Sequence, residues 1–203
     1  MNAPVRKIVT FFYRLKYRLS FEGLENIPKE GGYVYASNHR SYHDPVFITM
    51  KVPTPMTYMA KEELFKNPII GALLKSIGAF AVKRGSGDMS VINAAIDKLK
   101  EGKNLVIFPE GTRSYDGKVG KGKTGVAMIA AMSGVDIIPV GICFEGSKLT
   151  FGKKIVVKYG KRIPASELEF TGTSPKELKN VKRRIMDEIK LLAEGDTSAD
   201  ADD

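Results

Sequence analysis

Residues 33–48 read YVYASNHRSYHDPVFI, in which an apolar stretch, a polar turn and a second apolar stretch follow one another. The first five residues, Tyr33 to Ser37, are aromatic and β-branched enough to predict a buried strand. Asp44-Pro45 ahead of an apolar run predicts an N-cap residue followed by proline at the first helical position. We therefore expect a strand, a tight turn and a helix start.

His39 and Asp44 bracket this turn, which puts an imidazole and a carboxylate close together. An imidazole accepts a proton from an alcohol near neutral pH, and a carboxylate on its other nitrogen fixes the tautomer. Because the chain has no G-x-S-x-G elbow, we expect the activated hydroxyl to belong to the substrate. In the alternative interpretation, Asp44 only caps its helix and His39 is a hydrogen-bonded structural histidine.

The rest of the chain alternates strand and helix patterns. Apolar runs bounded by turn signals predict strands at residues 33–37, 57–60, 79–83, 105–108, 137–144 and 155–159. Helical patterns occur at residues 45–50, 61–66, 69–76, 89–100, 125–132 and 174–195. This alternation predicts an α/β fold, with one largely parallel or mixed central sheet covered by helices.

The length of 203 residues fits a single domain, for which we predict the boundaries 20–195. Residues 196–203 carry four acids and no base, so we expect a disordered acidic tail. The formal net charge is +9, which favours anionic partners such as phosphorylated metabolites, acidic lipid, an acidic carrier protein or nucleic acid. The single Cys143 excludes an internal disulfide, and no zinc-site pattern is present, so we expect a reducing compartment and no metal.

Residues 1–19 form a candidate amphipathic helix. Apolar Ile8, Phe11, Phe12, Leu15 and Leu19 recur at helical spacing among arginines and lysines. This pattern is typical of a helix that lies on a membrane surface, although a helix packed on the domain with a solvated basic face would read the same way. We expect no membrane-spanning segment, because no apolar run is long enough.

Two further stretches suggest anion binding. Residues 108–114, FPEGTRS, follow a predicted strand, so Arg113 is placed to hold a phosphate while Gly111 permits close backbone approach. Residues 117–124, GKVGKGKT, match the Walker A pattern and precede a helix, but do not directly follow a strand. Lys121 and Lys123 in this stretch are also candidates for contact with an anionic ligand.

Four blocks taken in order resemble the glycerolipid acyltransferase family of the lysophosphatidate acyltransferase type. The first block, N-H-x-S-x-x-D-P, is met by Asn38, His39, Ser41, Asp44 and Pro45. The others are similar to residues 61–71 with 78–84, to residues 108–114 and to residues 138–142. The resemblance covers roughly residues 20–165.

The resemblance implies acyl transfer from acyl-CoA or acyl carrier protein to the sn-2 hydroxyl of 1-acylglycerol 3-phosphate, which gives phosphatidate. It implies a catalytic base, His39, and its orienting carboxylate, Asp44. The residues implied to hold the glycerol phosphate are Arg84, Glu110, Gly111, Thr112 and Arg113. Supporting roles are expected of Asn38, Ser41, Lys61 and Lys123. No cofactor is implied beyond the acyl thioester, and we expect peripheral attachment to the cytoplasmic face of the membrane.

Three alternatives remain open at this point. In the first, the chain is an acyltransferase whose acceptor is glycerol 3-phosphate or another lysolipid. In the second, the 117–124 stretch belongs to a P-loop nucleotide hydrolase. In the third, the chain is a basic lipid-binding or nucleic-acid-binding module without turnover. Two departures from the family pattern bear on attachment and on ligand contacts. Many relatives carry N-terminal membrane-spanning segments, and the 117–123 stretch lacks the phenylalanine that often precedes the family's lysine.

Overall fold

The computed structural model describes residues 3–82, 89–168, 170 and 174–195. The helices are α1 (Ala3–Lys16), α2 (Asp44–Thr49), α3 (Pro68–Ser76), α4 (Met89–Lys100), α5 (Gly125–Ser133) and α6 (Pro175–Glu194). The strands are β1 (Arg18–Glu22), β2 (Val34–Ser37), β3 (Met56–Lys61), β4 (Ala79–Val82), β5 (Asn104–Ile107), β6 (Ile137–Cys143) and β7 (Lys154–Tyr159).

The strands form one seven-stranded sheet in the order β1-β7-β6-β2-β5-β3-β4. Neighbouring strands are parallel throughout, except that β6 and β7 are antiparallel. The predicted α/β fold with a mixed central sheet is confirmed. Because β2, β3, β5 and β6 run in the same direction, the loops that follow them meet at one edge of the sheet, which we call the carboxyl edge.

Helices cover both faces of the sheet and divide the core into two clusters. Side chains alternate along β2, so Tyr35 faces one cluster while Val34 and Ala36 face the other. The first face carries α1, α2 and α3, and the second carries α4, α5 and α6. Full burial of each aliphatic side chain in such a core stabilises the fold by roughly 1.5–3 kcal/mol.

The last helix, α6, shows how local signals fix an element in place. Ser174 and Glu177 form the predicted capping box at its start. Its buried stripe consists of Leu178, Val181, Ile185 and Ile189, which pack on the second face. Its end contacts β6, where Gly141 lies directly beneath the backbone of Leu192.

The structure corrects the predicted N-terminal helix. We expected a helix through Leu19, but α1 ends at Lys16 and Leu19 lies in β1, which pairs with β7. Helical spacing placed Leu19 on the apolar face of the helix, whereas long-range strand pairing decides its conformation. Strand β1 was not predicted, because no turn signal precedes its five residues and only Gly23 follows them as one. The predicted acidic tail, 196–203, lies outside the described residues.

Gly141→Ala is expected to destabilise the fold. A Cβ at this position would lie 2.6 Å from Leu192, so either α6 or β6 must shift. Overpacking of this kind costs about 1–3 kcal/mol. Thermal unfolding should show a melting temperature lowered by several degrees.

Gly125→Ala is the matched control for this change, because a Cβ at the start of α5 would meet only Ile92 at 4.0 Å. This variant should melt at or slightly above the temperature of the unmodified chain. Equal melting temperatures for Gly141→Ala and the unmodified chain would contradict the close packing of α6 on β6.

Candidate active site

His39 and Asp44 form a hydrogen-bonded pair in the turn that follows β2. The distance from His39 Nδ1 to Asp44 Oδ2 is 2.8 Å. The Asp44 side chain is fully buried, whereas the His39 side chain is 18% exposed. Since the carboxylate can only accept, Nδ1 carries the hydrogen and Nε2 keeps its lone pair. Phe108 stacks on the imidazole, with ring centroids 4.0 Å apart, and holds its plane.

Asp44 does not cap α2, which corrects our prediction of an N-cap. Helix α2 begins at Asp44 itself, and the residue before the helix is His43. The carboxylate instead faces back into the turn, where Oδ2 accepts from the backbone N–H groups of Arg40 at 2.6 Å and Ser41 at 2.7 Å. Three donors therefore hold one buried carboxylate oxygen, and the same three bonds shape the turn that carries His39.

Neighbouring side chains tie this turn to the end of β6. The Asn38 amide donates to the Ile142 carbonyl at 2.9 Å and accepts from the Ile142 N–H at 2.8 Å. It thereby continues the β2–β6 pairing beyond the last strand residue. The Arg40 guanidinium donates to the carbonyls of Phe144 and Gly146 and lies 3.8 Å above the Phe144 ring. The sequence drew attention to Asn38 but not to Arg40.

Glu110 connects the turn to the loop after β5. Its Oε1 accepts from the His39 N–H at 2.9 Å, and its Oε2 accepts from the Gly120 N–H at 3.0 Å. The Ser114 N–H donates to the His39 carbonyl at 2.8 Å. Burial raises the pKa of Glu110, and the two backbone donors oppose that rise. Both carboxylate oxygens are thus engaged in ordering the loop.

The remaining loop residues surround a cavity of about 470 Å³. Its lining includes Thr112, Arg113, Lys118 and Lys121. The Arg113 guanidinium stacks 3.6 Å above the Tyr42 ring and donates to the Tyr42 hydroxyl at 2.9 Å. These contacts restrict its rotation and leave its other donors for a ligand.

Gly111 and Lys123 lie against each other. Gly111 has a φ of 73°, and a Cβ on it would lie 3.0 Å from the Lys123 Nζ. Glycine therefore avoids strain in the left-handed conformation, and it also leaves room for the Lys123 side chain. The Lys123 N–H donates to the Pro109 carbonyl at 2.8 Å, which folds the chain back beside the loop.

Three other residues, Ser41, Lys61 and Arg84, were also predicted to belong to the site. Ser41 takes part through its backbone bond to Asp44, and its hydroxyl accepts from the His43 N–H at 3.1 Å. Lys61 lies at the end of β3, where it is exposed and pairs with Glu63 at 3.4 Å. Arg84 lies outside the described residues.

The Walker-like stretch does not have the geometry of a P-loop. Strand β5 ends at Ile107, well before Gly117. The Val119 N–H donates to Glu194 at 2.7 Å, and the Gly120 N–H donates to Glu110. A P-loop keeps such amides free for phosphate. The match of residues 117–124 to the pattern is therefore misleading, because it reflects a lysine- and glycine-rich composition.

Sequence reasoning missed the aromatic contacts on the other side of the turn. The Tyr13 hydroxyl bonds to His43 Nδ1 at 2.7 Å, and both rings pack against Phe47. Burial lowers the pKa of His43 and raises the pKa of Tyr13 to about 12. Helix α1 is therefore attached directly to the turn that carries the His39–Asp44 pair. Only the recurrence of tyrosine within an amphipathic pattern could have pointed to this contact.

Comparisons with known proteins agree with this geometry. A family model described as acyltransferase matches residues 18–143, which is more than half of the chain. A 1-acyl-sn-glycerol-3-phosphate acyltransferase of Bacillus subtilis is 36% identical over 155 residues, covering 75% of this chain and 76% of that protein. A chloroplastic enzyme of the same name from Arabidopsis thaliana is 31% identical over 147 residues, covering 71% of this chain but 41% of that protein.

The chain thus spans about two fifths of the length of its chloroplast relatives. Among solved structures, the 1-acyl-sn-glycerophosphate acyltransferase PlsC from Thermotoga maritima is similar with a TM-score of 0.72 and 30% identity. The match covers 93% of this chain and 78% of that structure. Because the family model matches more than half of the chain, including β1 to β6 and the turn that carries His39 and Asp44, the chain belongs to the acyltransferase family.

Proposed function

We propose that this protein transfers a fatty acyl group from a thioester to the sn-2 hydroxyl of 1-acylglycerol 3-phosphate and so makes phosphatidate. The observation that carries the proposal is the His39–Asp44 pair beside a loop rich in cations. The names of the bacterial and chloroplast relatives support the choice of acceptor. The chain is an enzyme rather than a passive lipid-binding module in this proposal.

The reaction follows from the tautomer that Asp44 imposes. His39 Nε2 takes the proton from the acceptor hydroxyl, and the oxygen attacks the thioester carbonyl. The tetrahedral intermediate collapses with loss of the thiolate, which recovers the proton from the imidazolium. Asp44 stabilises the imidazolium between these steps, because its carboxylate stays bonded to Nδ1. The acyl group passes directly between the two substrates, so no protein nucleophile is needed.

The phosphate of the acceptor is proposed to lie in the cavity beside the 110–121 loop. Arg113 offers a bidentate fork, and Lys118 and Lys121 add positive charge to the same lining. Glu110 belongs to this lining as well, but its two oxygens bond to His39 and Gly120. Its proposed contribution is to fix the loop, while the cations bind the phosphate.

The acceptor and the product are lipids, so we propose that the protein works on a membrane surface. In the described part of the chain, no helix has the length and apolarity needed to cross a bilayer. Helices α1 and α3 pack on the same face of the sheet, and both leave large apolar side chains in solvent. These side chains are Val5, Ile8, Phe11, Phe12, Leu15, Ile69, Ile70 and Leu73. With the basic residues of α1, they suit the interface of an anionic bilayer.

The function is tested by adding purified protein to vesicles that contain lysophosphatidate and following a labelled acyl group from acyl-CoA and, separately, from acyl carrier protein. Phosphatidate formation is the expected result. Glycerol 3-phosphate and a lysolipid without phosphate serve as competing acceptors. Product from a competitor but not from lysophosphatidate would contradict the proposed acceptor, and no product with any pair would contradict acyl transfer.

His39→Ala is expected to lower kcat at least ~10²-fold, because the acceptor hydroxyl loses its base. The same acyl-transfer assay measures this, with thermal unfolding to show that the variant is folded. His43→Gln is the control, since it removes the other imidazole of the same turn, and it should keep turnover within a few-fold. Comparable activity in both variants would rule out His39 as the base.

Asp44→Asn distinguishes a catalytic partner from a structural residue. The side-chain oxygen of asparagine can still accept from the backbone N–H groups of Arg40 and Ser41, so a role confined to holding the turn would leave turnover largely intact. We expect turnover to fall at least ~10²-fold instead, since an amide cannot stabilise the imidazolium. Because one charged acceptor of three hydrogen bonds is lost, stability should also fall by about 1–3 kcal/mol, measured by denaturant unfolding. Full activity would leave Asp44 a purely structural role.

The double variant Phe11→Ser/Phe12→Ser tests the membrane surface. These rings are 61% and 62% exposed, so their removal should leave folding intact and weaken co-sedimentation with anionic vesicles several-fold. Met132→Ser/Leu191→Ser removes two exposed apolar side chains from the opposite face and should bind like the unmodified chain. Equal binding by all three proteins would place the membrane contact elsewhere.

A further inference from the structure

Helix α6 has a basic face that the acyl-transfer mechanism does not use. Beside its buried stripe it carries Lys179, Lys182, Arg183 and Lys190. On this helix the ion pairs among the described residues join Arg184 to Glu167 and Lys190 to Glu194. Lys179, Lys182 and Arg183 thus have no paired carboxylate in the part of the chain that the structure describes. In the sequence this face read as a solvated surface.

The structure turns this face into one wall of a groove. Residues 119–122 form the other wall, and the open cleft between the two walls measures about 300 Å³. Five basic side chains line it, with Asp187 as the single acid. Met186 and Val119 are partly buried and supply apolar surface. The loop comes so close to α6 that a Cβ on Gly122 would lie 2.5 Å from the Met186 Sδ.

The groove adjoins the candidate active site. Val119, Gly120 and Lys121 line both this groove and the cavity that holds Arg113. Gly120 is also bonded to Glu110, which in turn is bonded to the backbone of His39. A ligand in the groove therefore lies along the same wall as the acceptor phosphate. The Glu110 carboxylate connects that wall, through Gly120, to the backbone of His39.

The position of the groove favours a water-soluble anion as its ligand. The exposed apolar side chains of α1 and α3 lie on the first face of the sheet, whereas α6 packs on the second. A protein bound to lipid through its first face presents the α6 groove to the aqueous phase. The size of the cavity is at the lower end of the range for small-molecule sites.

We propose that this groove binds the nucleotide portion of a CoA thioester. Met186 and Val119 offer apolar contact for the adenine ring, and Lys121, Lys179 and Arg183 offer charge to the phosphates. The pantetheine arm then extends along the shared wall to carry the thioester to His39. The assignment rests on the proposed acyl transfer and adds the donor to it.

The test compares Lys179→Glu/Arg183→Glu with a matched control, Lys29→Glu/Lys100→Glu. Lys29 and Lys100 are exposed and precede β2 and β5, at the opposite edge of the sheet, so the control has the same charge change away from the groove. The KM for acyl-CoA should rise about tenfold or more in the groove variant, since two attractive charges become repulsive. The kcat should be unchanged.

Acyl-pantetheine, which lacks the nucleotide and all phosphates, should show the same KM in the groove variant, the control and the unmodified chain. A KM for acyl-CoA that is equal in all three proteins would overturn the assignment. A rise confined to acyl carrier protein would also overturn it, and would assign the groove to a protein donor.

Binding of CoA itself, measured by isothermal titration calorimetry, separates this inference from the proposed function. Weaker binding to the groove variant than to the control supports the nucleotide site even where no acyl transfer is detected. Equal affinities for CoA, or no binding of CoA to the unmodified chain, would overturn the site, whether or not acyl transfer takes place.

Discussion

The buried carboxylate of Asp44 is the constraint on which the carboxyl edge of the sheet depends. A carboxylate without solvent is stable only when donors replace the lost water, and here one oxygen receives three hydrogen bonds. Two of these come from the backbone of the turn, so the electrostatic requirement of the acid fixes the path of the chain. The third fixes the imidazole of His39. Folding of the turn and positioning of the His39 imidazole are therefore the same physical event.

In the function that we propose, one face of the sheet contacts lipid and the other faces water. Helices α1 and α3 expose apolar side chains on the first face, while α6 and the 119–122 segment present cations on the second. The carboxyl edge lies where these surfaces meet, because β2 and β5 stand at the centre of the sheet and end there. The proposed reaction between a lipid acceptor and a water-soluble donor needs such an edge. The Tyr13–His43 bond adds a direct contact between α1 and the turn that carries His39 and Asp44.

The sequence was informative where short-range signals and burial agree. Alternating apolar runs predicted six of the seven strands, and the turn between Ser37 and Pro45 predicted the His39–Asp44 contact. Strand β1 was missed because its conformation depends on pairing with β7, more than a hundred residues away. The direction of the Asp44 carboxylate was missed for a related reason. An Asp-Pro pair before an apolar run is compatible with an N-cap. Only the folded turn shows that the carboxylate accepts from the N–H groups of Arg40 and Ser41 instead. The groove on α6 depends on tertiary contact between distant segments, so no local pattern reports it.

Glu110 shows why a carboxylate can belong to a loop that we propose binds phosphate. Its charge would repel a phosphate in the same cavity, and burial raises its pKa because it disfavours the charged form. The backbone N–H groups of His39 and Gly120 oppose both the repulsion and the rise in pKa, since each points the positive end of its dipole at one carboxylate oxygen. The carboxylate is therefore directed at the main chain, where it joins His39 to Gly120. Because both oxygens of Glu110 bond to the main chain, this carboxylate does not pair with the cations of the loop. A neutral residue at this position would remove the repulsion, but it would also weaken the bridge that holds His39, the loop and the wall of the α6 groove together.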